Sequence, residues 1–211
     1  MAQEKALLKC GVLASGRGTN LEAILKAQKR GVLGAEVAVV LSDVQTAGAL
    51  EKAKEYGIPS FFVSPGTQKA RLPAETEMEY TRILKSFDVG LVLLAGFMRI
   101  LGKTFLENFR NRILNIHPSL LPSFRGLEAQ RQALEYGVKY AGCTVHFVDE
   151  GVDSGPIILQ AVVPVYDNDT AHSLSERILA EEHRIYPEAV RLFAQGRLEV
   201  SGRRVVVRPE E

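Results

Sequence analysis

Four largely apolar runs constrain the first half of this chain more than any other feature: ALLKCGVLA (6–14), AEVAVVLSD (35–43), FDVGLVLLAGF (87–97) and NRILNIH (111–117). Runs of this length and composition suit strands covered on both faces, because a strand with one face in water alternates instead. Helical spacing fills the gaps, at Leu21, Ile24 and Leu25, then Ala49, Leu50 and Ala53, then Met78 to Leu84. Strand and helix in alternation imply a parallel sheet with crossover helices. Beyond Gly126 the pattern changes. KYAGCTVHFVD (139–149) and GPIILQAVVPV (155–165) read as a hairpin across a Gly- and Asp-rich loop. A long helix is expected from about Thr170 to Gln195, and RLEVSGRRVVVR (197–208) as a small hairpin around Ser201 and Gly202. With no repeat or linker, residues 1–211 are expected to form a single α/β domain.

Composition removes several function classes. The 211 residues are 46% hydrophobic and 24% charged, with a net charge of +1, so there is no basic footprint for nucleic acid. The longest apolar stretches are too short to cross a bilayer. The opening MAQEKALLKCGV lacks the three-part layout of a secretory signal, so a cytoplasmic protein is expected. Cys10 and Cys143 lie in apolar surroundings and read as small buried thiols.

In open α/β sheets ligands bind beyond the carboxyl ends of the strands, which makes the strand-ending residues the first candidates. SGRGTN (15–20) follows the first strand and opens the first helix. Its glycines allow close backbone approach, and helix-start amides suit an anion such as phosphate. The same residues also have the spacing of a capping box, Thr19 with Glu22. In RILNIHPSLLPSFRG (112–126), residues two apart on a strand share a face, so Asn115 and His117 point together. An amide and an imidazole aimed at one space can hold an oxyanion and move a proton; a histidine bonded to a nearby carbonyl is the plainer alternative. Asp149, Glu150 and Asp153 lie in a loop that reads as a solvated turn or, with too few ligands at fixed spacing, a poor metal site. His146 reads as a structural histidine, and His172 and His183 as surface residues. Glu182 falls on the apolar stripe Leu174, Ile178, Ile185 and Ala189, where a carboxylate needs a partner or a ligand.

SGRGTN, LAGFMRIL, NIHPSLLPSFRG, GCTVHFVDEGVDSGPIILQ and EEHRIYPEAV occur in this order and spacing in the phosphoribosylglycinamide formyltransferase family, which the chain resembles from about Lys9 to Leu198. The resemblance implies a Rossmann-like formyltransferase fold, with a mostly parallel central sheet, flanking helices and a C-terminal hairpin extension. It implies transfer of a formyl group from 10-formyltetrahydrofolate, as co-substrate, to the amine of glycinamide ribonucleotide in purine biosynthesis. No metal, nucleic acid or membrane partner is expected, and the assembly would be a monomer or homodimer. Asn115, His117 and Asp153 would be catalytic, with the aspartate raising the histidine pKa. Gly18, Thr19, Asn20 and Glu182 would hold the ribonucleotide. Arg71, Met98, Arg99, Ile100, Leu101 and Asn115 would meet the folate, together with Asp149, Glu150, Gly151, Val152 and Asp153. The half at about 1–110 would bind nucleotide, and the half at about 111–211 would bind folate and catalyse. Gln130 stands where members often carry histidine, and Arg17 where some carry asparagine; both lie outside the trio. The alternatives on the same scaffold are a formyltetrahydrofolate hydrolase and a methionyl-tRNA formyltransferase-like protein, both of which normally carry a further domain, or a non-catalytic binding protein.

Overall fold

The first strand, β1 (Leu8–Leu13), is buried on both faces from Cys10 onward, as a strand roofed and floored by helices must be. The computed structural model describes residues 6–66 and 70–210. The chain continues through α1 (Thr19–Lys29), β2 (Ala35–Ser42), α2 (Gly48–Glu55), β3 (Ser60–Phe62), α3 (Ala74–Ser86), β4 (Leu91–Leu94), α4 (Lys103–Asn108) and β5 (Ile113–His117). It then passes through α5 (Ala129–Tyr136), β6 (Tyr140–Phe147), β7 (Ile157–Pro164), α6 (Ala171–Ala194), β8 (Leu198–Ser201) and β9 (Arg204–Val207). The strands form one nine-stranded sheet in the order β3-β2-β1-β4-β5-β6-β7-β9-β8. β1 to β5 pair in parallel, whereas β6 and β7 run antiparallel beside β5 as the expected hairpin. The tail hairpin β8–β9 extends the sheet through a parallel bridge from β9 to β7 at Ile157 and Arg204. The α/β class and the mostly parallel sheet expected from the sequence are both present.

Each face of the sheet carries its own core. On one, α1, α2 and α6 pack Leu21, Ile24, Ala49, Ile178 and Ala189 against Cys10, Val12 and Leu93. On the other, α3 and α4 pack Tyr80, Leu84 and Phe105 against Leu13, Val39 and Val92. Cys10 and Cys143 are free, buried thiols, and burial pushes both up to about 12.

The strand order reverses between β1 and its neighbours. The chain steps from β1 to β2 on one side and returns through α3 to β4 on the other. That switch point opens a crevice beyond the carboxyl ends of β1 and β4. Helix α6 is anchored beside it, because the Tyr186 hydroxyl lies 3.0 Å from the Leu94 carbonyl, at the end of β4, and 3.1 Å from that of Leu114 in β5. Replacing Tyr186 by Phe removes this buried tether between α6 and the sheet. It should cost about 1–2 kcal/mol in a denaturant melt.

Candidate active site

A cleft of about 850 Å³ lies beyond the carboxyl ends of β1, β4 and β5. It collects Gly18, Thr19 and Asn20 after β1, and Met98, Arg99, Ile100 and Leu101 after β4. Asn115 and His117 of β5, Asp149 to Asp153 of the β6–β7 loop, and Glu182 of α6 complete the expected lining. Gln130 lines it as well. Arg71 does not; it is exposed, with its backbone bridged to Ile100 at the rim.

Asp153 sits at the centre of the polar groups. Its Oδ2 lies 3.3 Å from His117 Nδ1 and accepts from the Gly126 amide at 2.9 Å. Its Oδ1 accepts from Asn115 Nδ2 at 3.4 Å and lies 3.7 Å from His146 Nε2. The backbone at Asp153 is left-handed, with φ 48°, a costly conformation for a non-glycine residue that clusters at functional sites. The stretch after β5 folds back to make this possible. Thr144 donates to the Ser119 carbonyl and accepts from the Leu121 amide, which returns Phe124 and Gly126 to the end of β5.

Both ring nitrogens of His117 face acceptors. Nε2 lies 2.9 Å from the Phe124 carbonyl, so it carries a hydrogen, and Nδ1 faces the carboxylate. Only the protonated ring satisfies both. Burial nevertheless dominates. It holds the His117 pKa below the ordinary histidine value, against the upward pull of the Phe124 carbonyl and the Asp153 charge. The upward shift expected from the sequence is therefore reversed, because the ring is only 5% exposed. Burial also pushes the Asp153 carboxyl up, but the neighbouring His146, the Gly126 amide and His117 together outweigh it, so the net shift is downward.

His146 belongs to the same cluster, although the sequence suggested only a structural role. Its Nδ1 donates to the Phe147 carbonyl at 2.7 Å, leaving Nε2 to accept from Asn115 at 3.2 Å. The two residues are partners across β5 and β6, and the β6–β7 register shifts at Val145/His146. The sequence signal was the alternation of Thr144 and His146 with apolar neighbours.

At the opposite wall, Gly18 caps α1 in a left-handed conformation, φ 75°, and an added Cβ would meet the Ala49 Cα at 2.7 Å. The Thr19–Glu22 capping box does not form. Glu22 binds Lys26 at 2.7 Å and Lys52 at 2.5 Å, while a true capping box opens α6 at Thr170 and Ser173. Asn20 donates to Glu182 at 2.7 Å, and both are buried. Burial drives the Glu182 pKa up to about 7, only partly offset by this bond. The Asn20 carbonyl oxygen has no partner among the described residues. An amide oxygen and a carboxyl group together suit hydroxyl donors. His183, read as a surface residue, has a buried Nε2, whereas His172 is exposed as expected. Among the described residues no cluster of three or more metal-ligating side chains occurs.

The formyl transferase family model matches residues 8–190. The chain belongs to the formyl transferase family. It superposes on the solved glycinamide ribonucleotide transformylase 1 of Symbiobacterium toebii with a TM-score of 0.93 and 52% identity, over 99% of this chain and 100% of that one. It is 41% identical to the phosphoribosylglycinamide formyltransferase of Bacillus subtilis over 87% of this chain and 93% of the relative. It is also 45% identical to the trifunctional purine biosynthetic protein adenosine-3 of Gallus gallus, over 92% of this chain but only 19% of that much longer protein. The fold described above is thus shared with that solved relative, and no helix among the described residues is long and apolar enough to cross a membrane.

Proposed function

We propose that the chain transfers the formyl group of 10-formyltetrahydrofolate to the amine of glycinamide ribonucleotide. The observation that carries this reading is the convergence of Asn115, His117 and His146 on the single carboxylate of Asp153, between an anion-suited helix start and an apolar loop. The ribonucleotide phosphate meets the amides of Gly18, Thr19 and Asn20, and its ribose hydroxyls meet Glu182. The folate lies along Met98 to Leu101 and the loop Asp149 to Asp153, with Arg71 at the rim. Each subsite draws on both halves of the sequence, so the chain works as one domain. A cytoplasmic setting, and a monomer or homodimer needing no metal, nucleic acid or membrane, belong to the same reading.

The amine attacks the formyl carbon and an oxyanion forms. Asn115 spends its amide hydrogens on two long contacts, 3.2 Å and 3.4 Å, and a charged oxygen beside them competes successfully for one. The attacking nitrogen must shed a proton. The His117 Nδ1–Asp153 Oδ2 contact is the place that can take it, because the protonated ring gains the bond the neutral ring lacks. The folate nitrogen departs with a proton returned from this pair.

Purified protein incubated with 10-formyltetrahydrofolate and glycinamide ribonucleotide should release tetrahydrofolate, followed by folate absorbance. Release with methionyl-tRNA or with water alone, and none with the ribonucleotide, would overturn the proposal. The Gly18→Ala variant should raise KM for the ribonucleotide by about tenfold, roughly one lost amide contact, with a smaller change for the folate. Equal effects on both substrates would point to general damage.

A further inference from the structure

Asp43, just after β2, is a buried acid that none of these roles uses. Its side chain is 1% exposed and does not line the cleft. One carboxylate oxygen accepts from the Ser15 hydroxyl at 2.6 Å, and the other from Arg99 Nε at 2.6 Å. Ser15 directly precedes the loop Gly16 to Asn20 and also reaches across it. Its hydroxyl accepts from the Met98 amide at 2.9 Å, and its own amide donates to the Gly96 carbonyl at 3.1 Å. The carboxylate therefore stands behind the cleft and joins its two walls, the loop after β1 and the loop after β4. The contact ties the Arg99 guanidinium, expected at the folate, to the residue that follows β2. The far end of the same loop is tied separately, by the Gly102 amide donating to the buried Glu77 carboxylate.

Resting on the formyl transfer reading above, we propose that Asp43 is a positioning residue: through Ser15 and Arg99 it fixes the nucleotide-side loop against the folate-side loop and so sets the distance between acceptor amine and formyl carbon. Geometry, rather than charge, is what it supplies. An asparagine can accept from Arg99 through its carbonyl and donate to the second lone pair of the Ser15 oxygen, whereas alanine can do neither.

The test is steady-state kinetics on Asp43→Ala, Asp43→Asn and Ser15→Ala, with the thermal midpoint of each. Asp43→Ala should raise KM for both substrates and lower kcat, each by about tenfold, the scale of a sub-ångström misplacement. Asp43→Asn should restore all three constants to within about threefold of the parent. Ser15→Ala, which leaves the Asp43–Arg99 pair in place, should raise both KM values and serves if the alanine variant at 43 does not fold. Folded variants with both KM values unchanged, even with a lowered melting point, would overturn the proposal, as would an asparagine variant as impaired as the alanine one. Loss of transfer in the parent protein would instead overturn the formyl transfer reading.

Discussion

Asp153→Asn should reduce kcat by about 10²-fold or more while leaving both substrate affinities nearly unchanged, the scale of one lost acid–base contribution. The substitution keeps the shape of the side chain and removes the charge that faces His117 Nδ1 at 3.3 Å. It should also move the histidine. Burial already holds the His117 pKa below the ordinary value, and the Asp153 charge is one of the two influences pulling it back up. Removing that charge lowers it further, and an asparagine N–H donated to Nδ1 favours the neutral ring in addition. NMR titration of the His117 ring should therefore give a midpoint below 6.5 in the parent and a lower one in the variant. An upward move on losing the carboxylate would contradict the electrostatic assignment.

The second large effect concerns Glu182 and stability. Its pKa in the folded chain is raised from the ordinary 4.5 to about 7, chiefly by burial. A raised pKa means that the folded state holds the proton more tightly than the unfolded chain. The group's contribution is intact below the unfolded value and is lost as pH climbs through the folded one. Above pH 7 the buried carboxylate therefore costs stability, on the order of 3 kcal/mol. Glu182→Gln keeps the acceptor for Asn20 and removes the ionisation. Melts at pH 4 and pH 8 should show little difference between variant and parent at the acid end and a clear gain for the variant at the alkaline end. The same change should weaken ribonucleotide binding. An equal difference at both pH values would contradict the linkage. A group that destabilises the empty fold where it is ionised is consistent with a binding role, since its proper partner is the ligand.

Much of this architecture was legible because it is written in local pattern. Continuous apolar runs marked β1, β2, β4 and β5 as buried strands, and period-two spacing placed Asn115 and His117 on one face. The 3.6-residue stripe along α6 singled out Glu182. Among the elements that escaped, β3 and α4 span only 3 and 6 residues, too few for a period to declare itself. The capping box at Thr19 failed because Gly18 takes the left-handed cap and two lysines claim Glu22. His146 and Asp43 were missed for a different reason. The role of each depends on which residue lies opposite in a neighbouring strand or loop: Asn115 across the antiparallel β5–β6 pairing, Ser15 and Arg99 across two strand ends. That information is tertiary. The resemblance brought Asp153 to attention, but no local feature of DEGVDSG shows that its loop turns back to meet β5.

The claim that His117 and Asp153 handle one proton as a unit is tested most directly by combining His117→Ala with Asp153→Asn and measuring kcat beside each single variant. Residues that act as a unit are non-additive, so the double variant should be little slower than the slower single one. A loss equal to the product of the two single losses would mean that the residues act independently, and the shared-proton mechanism would be wrong.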